Sequence, residues 1–160
     1  MVTQSSPLSN SLPNAKGMRI CIVVSLWNTE ITESLFISAK ETLLKAGVIE
    51  SEIIRTEVPG SFELPLAAKF ALQSLNPDAV ICIGSVIQGE TRHFDFICNA
   101  VSNGIMQLGL ENNTPVIFGV LTTENIQQAR ERSGSGHGNK GIEAAHTAIQ
   151  MAFLKKKLSI

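Results

Sequence analysis

Four short strand-like runs, three of them almost continuously apolar, separated by stretches with helical spacing, constrain this chain more than any other feature. They are Ile20-Cys-Ile-Val-Val24, Ile53 to Val58, Ala79-Val-Ile-Cys-Ile83 and Pro115 to Leu121. A strand open to water on one face alternates apolar with polar residues, whereas a run apolar throughout is covered on both faces. After the first run and a break at Trp27-Asn28-Thr29, Ile31, Leu35, Ala39, Leu43 and Ala46 recur on one helical stripe, and Gly47 stops that helix. Phe62 to Leu75 follows the second run and ends at Asn76-Pro77. Phe94, Ile97, Cys98, Val101, Ile105 and Leu108 mark a long third helix, closed by Asn112-Asn113. Glu124 to Arg132 and Gly141 to Lys156 complete the pattern, separated by a Gly-rich stretch from Ser133 to Gly141.

Such alternation predicts an α/β fold of three layers: a four-stranded parallel sheet with helices on both faces. Right-handed crossovers lead to a flavodoxin-like arrangement with strand order 2-1-3-4. With 160 residues the chain suits one domain, expected over 18–160. Residues 1–17 are rich in Ser, Pro and Asn, lack the apolar core of a signal peptide, and read as a flexible arm.

Net charge is −1 with both signs scattered, which leaves no basic footprint for nucleic acid. No apolar run approaches membrane-spanning length, so neither class of partner is expected. Only 17% of residues are charged, a low share that suits a surface partly covered by copies of the same chain. Cys21, Cys82 and Cys98 lack CxxC or metal-ligand spacing and read as small buried hydrophobes in a reducing, cytoplasmic setting.

Parallel sheets bind ligands beyond the carboxyl ends of their strands. That edge carries Trp27-Asn28, Pro59 to Glu63, Gly84 to His93, and Leu121-Thr122-Thr123. Trp27 reads either as a core or lid aromatic or as a stacking platform for a planar heterocycle, with Asn28 beside it. Ser61 can cap the helix that follows it, and Glu63 can meet that helix's dipole. Alternatively, the Glu63 carboxylate accepts hydrogen bonds from a polyol. Gly84 to Phe96 runs from a strand end through a glycine-bounded turn into a helix start, a place that favours anions. Thr91 offers a hydroxyl there. His93 is either a hydrogen-bonded surface residue or a proton acceptor. Arg92 reads as solvated or phosphate-facing. Arg132 and Lys140 flank the Gly-rich stretch, which lacks the GxxxxGK[ST] pattern of a P-loop. His137 lies within that stretch, and His146 in the last helix reads as structural.

Together these segments resemble the 6,7-dimethyl-8-ribityllumazine synthase family of riboflavin biosynthesis. The matching stretches are Val58-Pro-Gly-Ser-Phe-Glu-Leu64, Gly84 to Phe96, Pro115 to Asn125, and Gly138-Asn-Lys-Gly-Ile-Glu-Ala-Ala145. The resemblance implies condensation of 5-amino-6-(D-ribitylamino)uracil with 3,4-dihydroxy-2-butanone 4-phosphate, releasing phosphate and water. It implies no metal and no other cofactor. It further implies a homo-oligomer, a pentamer or a sixty-subunit icosahedral capsid of pentamers, with active sites between subunits, and riboflavin synthase as a candidate partner.

Position by position, the resemblance puts Trp27 and Asn28 against the pyrimidine, and Ser61, Phe62 and Glu63 along the ribityl chain and ring. Val86 and Ile87 match a ring-contacting turn. Glu90 (through its backbone) and Thr91 match the phosphate-binding turn, and His93 the proton-transfer histidine. Phe118, Arg132 and Lys140 match residues supplied by the adjoining subunit, Arg132 as the phosphate ligand. Three positions depart from the family's usual residues. Trp27 replaces a usual Phe and enlarges the stacking face, which implies tighter holding of flat tricyclic flavins. Gln88 stands where a basic residue is common, and Gly136 where a Lys is frequent. Two other classes compete with the enzyme: a flavin- or nucleotide-binding module without turnover, and a purely structural shell subunit.

Overall fold

The computed structural model describes residues 11–134 and 138–160. Its elements, in chain order, are β1 (Ile20–Ser25), α1 (Thr29–Lys45), β2 (Ile53–Val58), α2 (Leu64–Leu75), β3 (Ala79–Ile87), α3 (His93–Asn112), β4 (Val116–Thr123), α4 (Ile126–Ser133) and α5 (Lys140–Lys157). Single 3₁₀ turns at Glu50–Glu52 and Ser61–Glu63 precede β2 and α2. The strands form a parallel sheet in the order β2-β1-β3-β4, as the alternation predicts.

Side chains on successive strand residues point to opposite faces, and each face has its own core. Ile20, Ile22, Val24, Ala79, Ile81 and Ile83 pack with Leu35, Ala39 and Leu43 of α1 and with Ala145, Ala148 and Ile149 of α5. Cys21, Val23, Val80, Cys82 and Val120 face the other way, onto Leu64 and Ala68 of α2 and Val101 and Ile105 of α3. Burying each such Ile, Leu or Val contributes about 1.5–3 kcal/mol relative to exposure. Ile81→Ala would therefore cost about 2–5 kcal/mol, including the cavity left behind. Cys21 and Cys82 are buried and unbridged, and burial pushes their thiols up to about 11 and about 12. Cys98, on α3, is only half-buried.

The structure corrects several expectations. β3 does not end at Ile83. It continues to Ile87 because Gly84 through Ile87 pair with Val120 through Thr123 of β4, beyond the reach of β1. Val86 and Ile87 are thus strand residues, and the turn before α3 shrinks to residues 88–92. β2 lies at the sheet edge and is not apolar throughout. Arg55 there pairs with Glu33 and Glu57 and lies 4.4 Å above the Phe36 ring. Helix α2 begins at Leu64 instead of Phe62, after the 3₁₀ turn.

The part of the expected arm at 1–17 that is described does not stand free of the fold. Ala15 is buried, its N–H donates to the Ala46 carbonyl at 2.9 Å, and Leu12 packs on the core. Residues 1–10 lie outside the described residues, as do Gly136 and His137. Among the described residues, no helix is long and apolar enough to cross a membrane.

Candidate active site

A cavity of about 430 Å³ opens above the carboxyl ends of β1 and β3, between the β1–α1 turn, the segment after β2 and the start of α3. Its lining includes Trp27, Asn28, Ser61, Phe62, Glu63, Val86, Ile87, Thr91 and His93, so most residues singled out along the chain converge there. Ser85, Gly89 and Phe94, within the stretch from Gly84 to Phe96, also line it, as does Ile97 of the α3 stripe, though none was assigned an individual role. Their sequence signal was adjacency to residues that were.

Trp27 is 71% exposed at the mouth, which rules out the core reading in this chain and leaves its indole face accessible. The turn that carries it is tied down on both sides. The Leu26 N–H donates to the Val58 carbonyl at 2.8 Å, and Asn28 Nδ2 donates to the Ser85 carbonyl at 2.9 Å. Phe62 is also exposed.

Ser61 does not cap α2. The residue is only 7% exposed, and its buried Oγ finds no hydrogen-bond partner among the described residues. A buried hydroxyl without a partner costs about 1–3 kcal/mol, so its persistence beside a cavity marks a place where a polar ligand group can pair. Gly84 makes this placement possible, since a Cβ there would lie 2.5 Å from Ser61 Oγ. Glu63 is exposed at the end of the 3₁₀ turn and makes no cap hydrogen bond to α2.

His93 is the first residue of α3, exposed, with its backbone N–H 3.4 Å from Thr91 Oγ1. The turn before it is open: a Cβ on Gly89 would meet nothing within 4 Å. Glu90 is exposed in this turn and lies outside the cavity lining. Arg92 is exposed, 3.8 Å from Asp95.

Phe118, Arg132 and Lys140 lie elsewhere. They line a second concavity of about 520 Å³ at the outer edge of β4, together with Thr122, Gln128, Glu131 and Glu143. The two linings share no residue. Arg130 on the same short helix is occupied by Glu30 at 2.7 and 3.1 Å, whereas Arg132 forms no ion pair with a described residue. Lys140 Nζ stands 3.5 Å from Glu143.

Sequence reasoning missed the residue that places both cations. Buried Asn139 caps α5 by accepting from the Gly141 and Ile142 N–H groups at 2.8 and 3.2 Å, while its Nδ2 donates to the Ser133 carbonyl at 2.8 Å. It thereby joins the end of α4, next to Arg132, to the start of α5 at Lys140. A Gly-Asn-Lys-Gly string ahead of an apolar-periodic run was the available cap signal.

Comparison with known sequences bears directly on this arrangement. The sequence profile of 6,7-dimethyl-8-ribityllumazine synthase matches residues 17–156. The chain belongs to that family. It is 58% identical over 146 residues to the 6,7-dimethyl-8-ribityllumazine synthase of Cytophaga hutchinsonii, covering 91% of this chain and 92% of the relative. It is also 53% identical over 164 aligned positions to that of Flavobacterium johnsoniae, covering 100% and 86%. Identity to the Porphyromonas gingivalis enzyme is 51% over 146 residues, covering 91% of each chain. The stretches that carry the likeness are thus divided, with Trp27, Ser61, Thr91 and His93 at one cavity and Phe118, Arg132 and Lys140 at the other.

Proposed function

We infer that this chain condenses 5-amino-6-(D-ribitylamino)uracil with 3,4-dihydroxy-2-butanone 4-phosphate to 6,7-dimethyl-8-ribityllumazine, releasing phosphate and water. Family membership across residues 17–156 supports the reaction. The observation that carries the reading at the site is the cavity joining an accessible indole, an unpartnered buried hydroxyl and an imidazole at a helix start. The pyrimidine stacks on Trp27, and Val86 and Ile87 contact its ring. The ribityl chain runs past Ser61, Phe62 and Glu63, whose hydroxyl and carboxylate meet its hydroxyl groups. Thr91 and the backbone at Glu90 receive the phosphate.

The primary amine of the uracil attacks the ketone, and loss of water gives a Schiff base. Phosphate is then eliminated, and ring closure expels a second water. Holding two polar reactants side by side can supply about 7–11 kcal/mol. His93, moving protons, adds about 10²–10⁴-fold.

One protomer does not bring Arg132 to His93, so we propose that Phe118, Arg132 and Lys140 complete the cavity of a neighbouring copy. Arg132 then grips the departing phosphate bidentately. Phe62, Leu66, Phe70, Phe96 and Met106 leave an apolar surface exposed in the protomer, which supports burial in a homo-oligomer, a pentamer or an icosahedral capsid. Light scattering decides its size. We further propose a single synthase domain over 18–160 onto which the segment from Leu12 packs, a cytoplasmic location, no membrane or nucleic-acid partner, and riboflavin synthase as the enzyme to test for association.

Mixing the purified chain with both substrates tests the enzyme reading. Lumazine absorbance and fluorescence should appear. Their absence, with flavin bound, would favour a binding module, the reading to which Trp27's exposed face also lends itself.

A further inference from the structure

Asn28 occupies the N-cap position of α1, yet it does not behave as a cap. Asn at this position ordinarily keeps extended backbone angles and accepts from the second or third helical N–H through its side chain. Here φ is 59° and ψ is 50°, in the left-handed region, and the side chain makes no cap hydrogen bond. Its carbonyl still accepts from the Ile31 and Thr32 N–H groups at 2.9 and 3.1 Å. The amide is turned away from the helix, and Nδ2 donates to the Ser85 carbonyl at 2.9 Å. Ser85 lies at the end of β3, past its pairing with β1. Both Asn28 and Ser85 line the cavity.

We propose that Asn28 is a positioning residue for Trp27: its Nδ2 bond to Ser85 latches the β1–α1 turn to β3 and holds the indole over the cavity. The proposal rests on the reading of Trp27 as the stacking platform. Left-handed backbone angles are tolerated by Asn and Gly and strain most other side chains. The turn therefore needs both a residue that accepts this backbone and an amide donor of this length, and Asn meets both needs. A direct substrate contact by Asn28 alone would leave the substrate-free protein indifferent to its loss. A latch would not.

Trp27 is the only tryptophan, so its emission reports this turn alone. The full-length Asn28→Gly chain keeps the backbone and removes the latch, while Asn28→Asp keeps the size and removes the donor. Steady-state anisotropy of the tryptophan emission, without substrate and at matched oligomer size, should fall in both variants. The KM for the pyrimidine should rise about 5-fold while that for the phosphorylated ketone stays near the parent value. Parent-like anisotropy in both variants would overturn the proposal. Should Asn28→Gly fail to fold, Asn28→Asp decides it alone. A fall in anisotropy in a chain that makes no lumazine would sustain the latch and sink the synthase reading.

Discussion

The cavity under Trp27 and the concavity at Arg132 lie in different parts of the chain and are built on different principles. The first is set by backbone. Its walls are strand ends and short turns, and its aromatic is tied down through main-chain carbonyls. The second is set by long cationic side chains at the end of α4 and the start of α5, fastened by one buried amide at Asn139. A planar heterocycle is recognised by shape and edge hydrogen bonds, which require rigid placement. A phosphate is held by charge, which tolerates mobile arms. On the proposed reading, the half that must be exact is built within one protomer, and the half that supplies charge comes from another.

Substitutions in each half should break that contrast in different ways. The largest effect is expected for His93→Ala, which should lower kcat by about 10²–10⁴-fold and leave a measurable residual rate. Complete loss of turnover in an intact assembly would show that positioning is not the main source of rate. Arg132→Ala comes next. Loss of a charged phosphate contact should raise KM for the ketone phosphate about 10- to 100-fold, with little change for the pyrimidine. Equal increases for both substrates would mean that the two concavities are not specialised.

Co-assembling those two impaired variants, assayed at low ketone phosphate, sharpens the comparison further. If each site draws one half from each neighbour, random mixing should restore roughly a quarter of parental activity. No recovery in demonstrably mixed oligomers would place both halves within one protomer. Trp27→Phe should weaken riboflavin binding only a few-fold, since most stacking area is kept. Equal affinity would remove any special role for the indole.

The smallest effect concerns the sheet edge, away from both surfaces. Hydrogen bonding from Arg55 holds the Glu33 carboxyl below the usual carboxylate range. A carboxyl lowered on folding contributes stability that is full above its ordinary value of about 4.3 and lost as pH falls through its folded value. Glu33→Gln should thus melt slightly below the parent at neutral pH, and the gap should close in strong acid. A gap that widened in acid would contradict the assignment.

The layered fold was legible because it rests on local periodicity. Apolar runs fitted strands and stripes at helical spacing fitted helices, with Asn76 and Asn113 ending α2 and α3 in left-handed geometry where turn residues had been read. Ser61 illustrates where such reasoning stops. A Ser ahead of a helix is a good cap on local grounds, and only the approach of Gly84 from β3 shows that its hydroxyl is buried without a partner among the described residues. β3 was cut short for a similar reason, since Gly84 reads as punctuation until the register with Val120 makes it part of a ladder.

By itself, then, the sequence determined the order of strands and helices, the edge of the sheet where ligands bind, and the residue types available there. These follow from spacing along the chain, a local property. The tertiary structure alone decided which residues share a cavity. It gathered Trp27, Ser61 and His93 around one opening and left Arg132 and Lys140 at another. That partition depends on strand register and on how α4 and α5 pack beside the sheet, contacts between distant residues that no local pattern encodes.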